Sequence, residues 1–440
     1  VTTSASRTER GLDRLVNFTD ATVAIAITFL VLPLVDVVEE GGATDLGALL
    51  AGHYGTLSAF FITFAVIGRL WLVHHSVFEG VARYSPALVA VNFVWLAAIV
   101  LLPFAANLLS NVFTTDPSVF ALYIGTMIVA STATLAMQLI LRRDPALLVP
   151  GTDPLRSLSR SLIVIALLAA ALVLAVYLPS VNMFALLLLL LSGPIERLVH
   201  RGHAPERHRP ARTERGLDRL VNFSDATVAI AITILVLPLV ELAPEIGRDG
   251  GGVGEVLGRH LDSVLAFALS FTLIAVFWMP HHRVFELAGD YDAGLVWLDL
   301  LWLVAIAFFP FSTSAIALLP DSRATIGLYI GTMVVVSGAL LLIELRLRRR
   351  PHLLREGAGP VRAAPAVVPF ALLVLALALA LLVPSVGLWW LLLLIAQRPL
   401  SLLLLRRVRR PVSSPAAARS PRRSSAGSAG ATRPRRPRAA

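Results

Sequence analysis

One stretch of this chain occurs twice almost unchanged: TERGLDRLVNFTDATVAIAITFLVLPLV, Thr8 to Val35, and TERGLDRLVNFSDATVAIAITILVLPLV, Thr213 to Val240. Only Thr19/Ser224 and Phe29/Ile234 differ. Apolar composition alone does not produce a near-verbatim match of this length, so the chain carries an internal repeat and its fold is built twice. Each copy has a charged lead-in, a polar knot (Asn17, Phe18, Thr19 and Asp20 in the first) and an apolar run closed by Pro33 or Pro238. Such a run reads as a membrane-spanning helix. An acid one or two turns inside it is costly unless partnered, and marks either a functional site or a polar contact holding a helix bundle together.

The rest of the chain has the same character. Of 440 residues 57% are hydrophobic and 15% charged, a balance that a soluble domain rarely reaches and a polytopic membrane protein requires. With no cysteine, disulfides and thiolate metal sites are excluded. The first apolar run is followed by many others and lacks a small-residue cleavage site, so it reads as a retained helix rather than a signal peptide.

The apolar runs predict an all-α integral membrane protein of two tandem, parallel six-helix repeats, twelve helices in all. In the first repeat, residues 1–200, helices are expected to end near Val35 and then to run over about 54–78, 87–109, 118–141, 161–178 and from the Pro179-Ser180 corner to about Leu191, extending towards Leu198. In the second, residues 212–405, they are expected near 219–240, 260–280, 294–319, 325–345, 366–383 and 386–405. A basic linker, 201–211, joins the repeats. The Arg-, Pro- and Ser-rich tail, 406–440, lacks apolar periodicity and is expected to be disordered. Its first arginines suit anionic lipid headgroups. Nothing folded or aromatic accompanies them, which argues against nucleic acid as a partner.

Loops rich in arginine (Arg142, Arg143, Arg156 and Arg160; Arg346, Arg348, Arg349 and Arg350) alternate with loops poor in it, such as 36–52 with Asp36, Glu39 and Glu40. This positive-inside pattern puts both termini in the cytoplasm of a multi-pass cell-membrane protein. Asp290 and Asp292 on the inner side, and Arg248 and Arg259 on the outer, run against it. An even number of helices per repeat makes the repeats parallel rather than inverted.

At helical spacing, Asn17, Asp20, Ala24 and Thr28 form one stripe of the first helix, and Phe18, Ile25, Phe29 and Leu32 another. The second copy repeats this with Asn222, Asp225, Ala229 and Thr233 against Phe223, Ile230, Ile234 and Leu237. The acid is thereby turned towards neighbouring helices while Ile25 and Ile230 face a central axis. Arg14 and Asp20 do not share a face, so no direct pair along the helix is expected. Arg14 lies one turn below Phe18, within reach of a cation–π contact. Trp71, His74 and Asn92 are the candidate partners of Asp20, with Trp278 and His281 as analogues of the first two. The pairs His74-His75 and His281-His282 are poor metal sites, because adjacent helical residues diverge and no Cys or carboxylate set accompanies them.

Arg14-x-x-x-Phe18-Thr19-Asp20 before an Ala-Ile-rich helix resembles the Arg-x-x-x-Phe-Ser-Asp signature of the TMEM175 family. Arg219, Phe223, Ser224 and Asp225 match it fully; Thr19 keeps the hydroxyl. The Trp-x-x-His element at Trp71/His74 and Trp278/His281 is also similar to the family's, although Pro280 interrupts the second. The resemblance covers about residues 7–200 and 212–405. It implies a potassium-selective leak channel, with potassium as the permeant ion and no cofactor. The first helix of each repeat would line the pore, Ile25 and Ile230 would form its aliphatic constriction, and duplicated chains would assemble as homodimers with four units around the pore. Two other functions compete: a proton-coupled secondary transporter using Asp20 and Asp225, and a structural or lipid-binding membrane protein. An enzyme is disfavoured, since no nucleophile–base set or metal cluster recurs in both copies.

Overall fold

In the computed structural model, described residues are 9–39, 45–111, 116–150, 158–178, 182–192, 195, 214–245, 252–319, 322–359 and 364–401. The linker 201–211 and the tail 406–440 lie outside them. The first repeat comprises α1 (Glu9–Phe29), α2 (Leu32–Glu39), α3 (Leu46–Gly52), α4 (Tyr54–Glu79), α5 (Pro86–Asn111), α6 (Pro117–Arg143) and α7 (Leu158–Tyr177). The second comprises α8 (Glu214–Ile234), α9 (Leu237–Val240), α10 (Val253–Arg259), α11 (Leu261–Glu286), α12 (Ala293–Leu318), α13 (Arg323–Arg349) and α14 (Ala364–Leu382). No strand occurs among the described residues, and nine helical stretches there are long and apolar enough to cross a bilayer. The protein is an all-α integral membrane protein of two tandem repeats.

Two departures from the sequence expectation have local causes. The first apolar run does not continue as one helix to Val35. It breaks at Leu30-Val31 and restarts as α2, with Pro33 in its first turn. Proline fits there because a first-turn N–H has no intrahelical partner to lose. The break is tightened by Val31 N–H donating to Thr28 O (3.1 Å) and Leu34 N–H to Val31 O (2.9 Å). Pro238 does the same between α8 and α9. The sixth apolar run of each repeat is the second departure: Asn182–Leu191 and Pro384–Ala396 are 3₁₀-helices rather than α-helices. Each repeat thus has a sixth helical run, of 3₁₀ rather than α geometry. A 3₁₀-helix rises about 2.0 Å per residue against about 1.5 Å in an α-helix, so these short runs reach further than their residue number suggests. Gly387, at φ +60°, supplies the left-handed residue that turns the chain after the Pro384 corner.

Within each repeat the third and fourth spans pack extensively, α5 on α6 and α12 on α13. Each first helix lies on its own third span, α1 on α5 and α8 on α12, and α1 and α8 also lie on each other. The loop after α4 is tied to the loop after α6 by a bridge between Val81 and Leu148, and Ala288 and Leu354 repeat that tie in the second half.

The second repeat has one anchor of its own. Asp292 caps α12 by accepting from Leu295 N–H (2.9 Å) and takes two hydrogen bonds from Arg346 on α13 (2.7 and 2.6 Å). Burial disfavours the charged form of Asp292, but the bonds from Arg346 and Leu295 outweigh it and bring its pKa to about 2. A depressed carboxyl stabilises the fold above its unfolded pKa of about 4, and this contribution is lost as pH falls through about 2. Asp292→Ala is expected to lower stability by about 1 kcal/mol from the cap alone. The check is the thermal midpoint of the detergent-solubilised protein at neutral pH; an unchanged midpoint would contradict the assignment.

Candidate pore helices and the seam between repeats

The polar knot of α1 is partnered in two separate ways. Thr19 belongs to a chain running back through the bundle: Asn92 Nδ2 donates to Thr19 Oγ1 (2.9 Å), and Asn92 Oδ1 meets His74 Nε2 (2.7 Å). His74 is stacked between Trp95 (4.2 Å) and Phe78 (4.4 Å). In the second repeat Asp299 replaces Asn92, bonded to Ser224 (2.7 Å) and His281 (2.8 Å), with His281 stacked on Trp302 (3.9 Å). His74 therefore reaches the motif hydroxyl through Asn92 and does not bond Asp20. Its neighbour His75 turns elsewhere, to Tyr291 (2.7 Å).

Asp20 has a different set of donors. Trp71 Nε1 donates to Oδ1 (2.8 Å), as Trp278 does to Asp225 (2.7 Å). The remaining donor comes from the other repeat: Arg219 bonds Oδ2 through Nε (2.9 Å) and Oδ1 through Nη2 (2.8 Å). Arg219 and Asp20 are 2% and 1% exposed, so this is a bidentate ion pair withdrawn from solvent. Such a pair withstands desolvation only with this kind of geometry and additional bonds. Arg219 Nη1 supplies one more, to His75 O (3.2 Å). Sequence reasoning missed this partner, which lies on another repeat; the signal available was the exact recurrence of the motif arginine.

The same seam carries Phe223 stacked on Trp71 (4.2 Å), Tyr291 bonded to Glu79, and Arg215 paired with Glu9 (2.7 Å) and Asp13 (2.9 Å). Gly216 sits where an added Cβ would run into the Tyr291 hydroxyl and the Glu79 carboxylate, so a side chain there would displace that pair. The second repeat thus presents Arg215, Gly216, Arg219, Phe223 and Tyr291. The first presents Glu9, Asp13, Asp20, Trp71, His75 and Glu79.

Each of these residues has an identical counterpart on the opposite edge of the chain. Arg10, Gly11, Arg14, Phe18 and Tyr84 correspond to the first set, and Glu214, Asp218, Asp225, Trp278, His282 and Glu286 to the second. Their environments are not equivalent. Phe223 is 0% exposed but Phe18 is 52% exposed. Arg219 is buried while Arg14 is exposed, and Asp20 is buried while Asp225 is half-buried. Among the described residues the only ion pair joining the two motifs is Arg219–Asp20.

This mismatch sorts the faces of α1 and α8. Phe29 is exposed where Ile234 is buried, and Thr28 and Ala24 are buried where Thr233 and Ala229 are exposed. Those positions lie towards one neighbour or the other. From Asn17 to Leu32, the positions at least partly exposed in both copies are Asn17/Asn222, Ala21/Ala226, Ile25/Ile230 and Leu32/Leu237, and Asp36 and Glu241 beyond them are exposed as well. Asn17, Ala21 and Ile25 follow an i, i+4, i+8 ridge, which is inclined to the helix axis. The structure therefore separates Asn17 from the Asp20 stripe and sets Phe18 apart from Ile25. No group of three or more His, Asp or Glu able to hold a metal ion occurs among the described residues.

Two stretches of the chain, 14–103 and 219–310, match the family described as endosomal/lysosomal potassium channel TMEM175. A potassium channel of Streptomyces collinus is 35% identical over 140 residues, 31% of this chain and 66% of the relative. One of Chamaesiphon minutus is 34% identical over 131 residues, 29% of this chain and 63% of the relative. The human endosomal/lysosomal proton channel TMEM175 is 28% identical over 166 residues, 37% of this chain and 32% of the relative. The matches thus span less than two thirds of these relatives' own lengths. Both family matches open on a motif arginine, Arg14 and Arg219, and each continues through the helices that carry its repeat's network: both repeats of the chain are similar to the TMEM175 family.

Proposed function

We propose that two copies of this chain form a potassium-selective leak channel of the cell membrane, its pore lined by α1 and α8 of each copy. The observation that carries this reading is the seam. Inside the chain it joins the repeats through a set of residues whose exact duplicates are left on the two outer edges. A heterologous contact of this kind closes into a ring when its rotation allows. Two chains offer two internal seams and two new ones, in which Arg14 meets Asp225 of the partner subunit and Phe18 meets Trp278 of the partner subunit. Four first helices then surround one axis.

Facing that axis are the positions open in both copies, with Ile25 and Ile230 the bulky apolar pair at mid-helix and Leu32 and Leu237 beyond them. An apolar collar obstructs hydrated ions by dewetting, without charge repulsion. Phe29 and Ile234 fall on the seams flanking the collar. Asp20 and Asp225 face away from it and serve the packing of the pore helices. Potassium as the permeant ion rests on the names of the bacterial relatives. Asp36 on α2 and Glu241 just after α9, both exposed beyond the breaks that end α1 and α8, concentrate cations there. The arginine-bearing ends of α1 and α8 face the cytoplasm.

Planar-bilayer recording tests the activity. Unitary current steps that reverse near the potassium potential in mixed potassium/sodium solutions are the expected result. Ion-tight bilayers holding assembled protein would end the channel reading, and proton-coupled flux without unitary steps would replace it with a transporter.

The assembly has its own test, helped by the absence of cysteine. Glu9 and Arg215 are paired within the chain, so Glu9→Cys with Arg215→Cys should cross-link internally with a short thiol-to-thiol reagent. Their duplicates, Glu214→Cys with Arg10→Cys, should instead link two chains and double the mass on a denaturing gel. Only monomers from the second pair, with the first pair reacting, would defeat the ring.

A further inference from the structure

We propose that Asn17 and Asn222 form a ring of amides around the pore that binds a partly dehydrated monovalent cation. The inference rests on the reading of α1 and α8 as pore helices of a two-chain ring. Both asparagines are exposed, although α1 and α8 lack opposite neighbours in a single chain. They therefore lie at the exposed rim of the seam between α1 and α8 rather than inside it, and in the ring this rim borders the axis. Asn222 Nδ2 also donates across the internal seam to Asn17 Oδ1, at 3.4 Å.

The outer edges carry the same two residues, so closing the ring repeats this contact from Asn17 to Asn222 of the partner subunit. The amides then run head to tail around the axis. Each oxygen accepts one N–H and retains a second lone pair. A cation on the axis is thus met by several neutral oxygens, the ligand type that hard cations take up. A ring without formal charge holds the ion weakly enough to release it, which conduction requires.

The spacing along the helix supports the assignment. Asn17 precedes Ile25 by two i+4 steps, about 12 Å at the helical rise per residue. The intervening ridge position is Ala21 or Ala226, exposed and half-buried respectively. These small side chains leave a wider chamber between the amide ring and the isoleucine collar. An ion held at the ring keeps its remaining water in that chamber before it meets the collar.

The test compares wild-type channels with Asn17→Ala/Asn222→Ala and Asn17→Asp/Asn222→Asp channels. Potassium is titrated from the side of the helix N-termini. The half-saturating concentration should rise several-fold in the Ala channels and fall several-fold in the Asp channels. Potassium/sodium reversal potentials should stay near wild type, because the collar is untouched. An unchanged half-saturating concentration in assembled Ala channels would overturn the proposal. If these variants fail to assemble, crystals of the wild-type protein in rubidium decide the matter. An anomalous peak level with Asn17 supports the ring, and its absence while rubidium occupies the pore elsewhere rejects it. Wild-type protein that neither dimerises nor conducts would remove the pore reading, and the ring with it.

Discussion

Arg219→Ala is expected to cost the chain its folded state, whereas Arg14→Ala should leave a folded chain that no longer dimerises. The two arginines are the same residue of the same motif and differ only in surroundings. Arg219 closes a bidentate pair with Asp20 inside the protein, and its loss strands a carboxylate that keeps only the Trp71 indole. Removing one partner of a buried pair costs about 3–5 kcal/mol, a large part of the roughly 5–15 kcal/mol by which proteins are stable. Arg14 is exposed in the single chain, so its removal strands nothing until a second chain arrives. Size-exclusion chromatography with thermal melting in detergent distinguishes the two outcomes. Adding Asp20→Asn to Arg219→Ala should recover part of the loss, because the stranded charge is then gone, and the cycle measures the coupling directly. A dimeric Arg14→Ala protein, or an Arg219→Ala protein as stable as wild type, would show that the seam is not held by these ions.

The parts of this architecture legible in the sequence were those written within one helix or one repeat. The second span, expected over 54–78, is Tyr54–Glu79, and the fourth, expected over 118–141, is Pro117–Arg143. Long apolar runs bounded by Asp116 or by Gly80 carry their limits locally. The break at Leu30-Val31 was less visible, because Pro33 marked an end without showing that the chain resumes helically after it. The sixth runs show the limit of apolar pattern, which marks a span but does not separate 3₁₀ from α geometry.

Trp71 was a legible partner of Asp20 because the Trp-x-x-His element recurs with the motif. Arg219 was not, since helical periodicity compares residues on one helix and this partner lies on another repeat. Excluding Arg14 as a partner along its own helix agrees with the geometry, yet the solution is the duplicate of that arginine. Asn17 was placed with Asp20 by ideal periodicity. In the packed helices the open face follows the i+4 ridge, so Asn17 joins Ala21 and Ile25. What sequence could not show was that the two copies of one motif sit in different environments, one buried by the other repeat and one at an open edge.

Ile25→Asn together with Ile230→Asn is expected to raise cation conductance and weaken discrimination between potassium and sodium, without loss of assembly. Ile25 is exposed in the single chain and Ile230 is half-buried, so neither is a core residue whose replacement leaves a closed cavity. Asparagine lacks the branch at Cβ and ends in an amide that holds water. A collar of four such residues is wetted, and the dewetting barrier that an apolar ring imposes is removed. Both positions must change together, since the proposed ring alternates them and a single substitution leaves half the collar dry. Phe29→Ile is the matched control. It makes the two copies alike at a position that the exposure mismatch places on a seam, so it should leave conductance and reversal potential near wild type. Single-channel recording under bi-ionic conditions, beside a cross-linking check for the dimer, reads all three proteins. Assembled double-Asn channels with wild-type conductance and reversal potential would take Ile25 and Ile230 out of the constriction. A large change from Phe29→Ile alone would move the constriction one turn towards the break at Leu30.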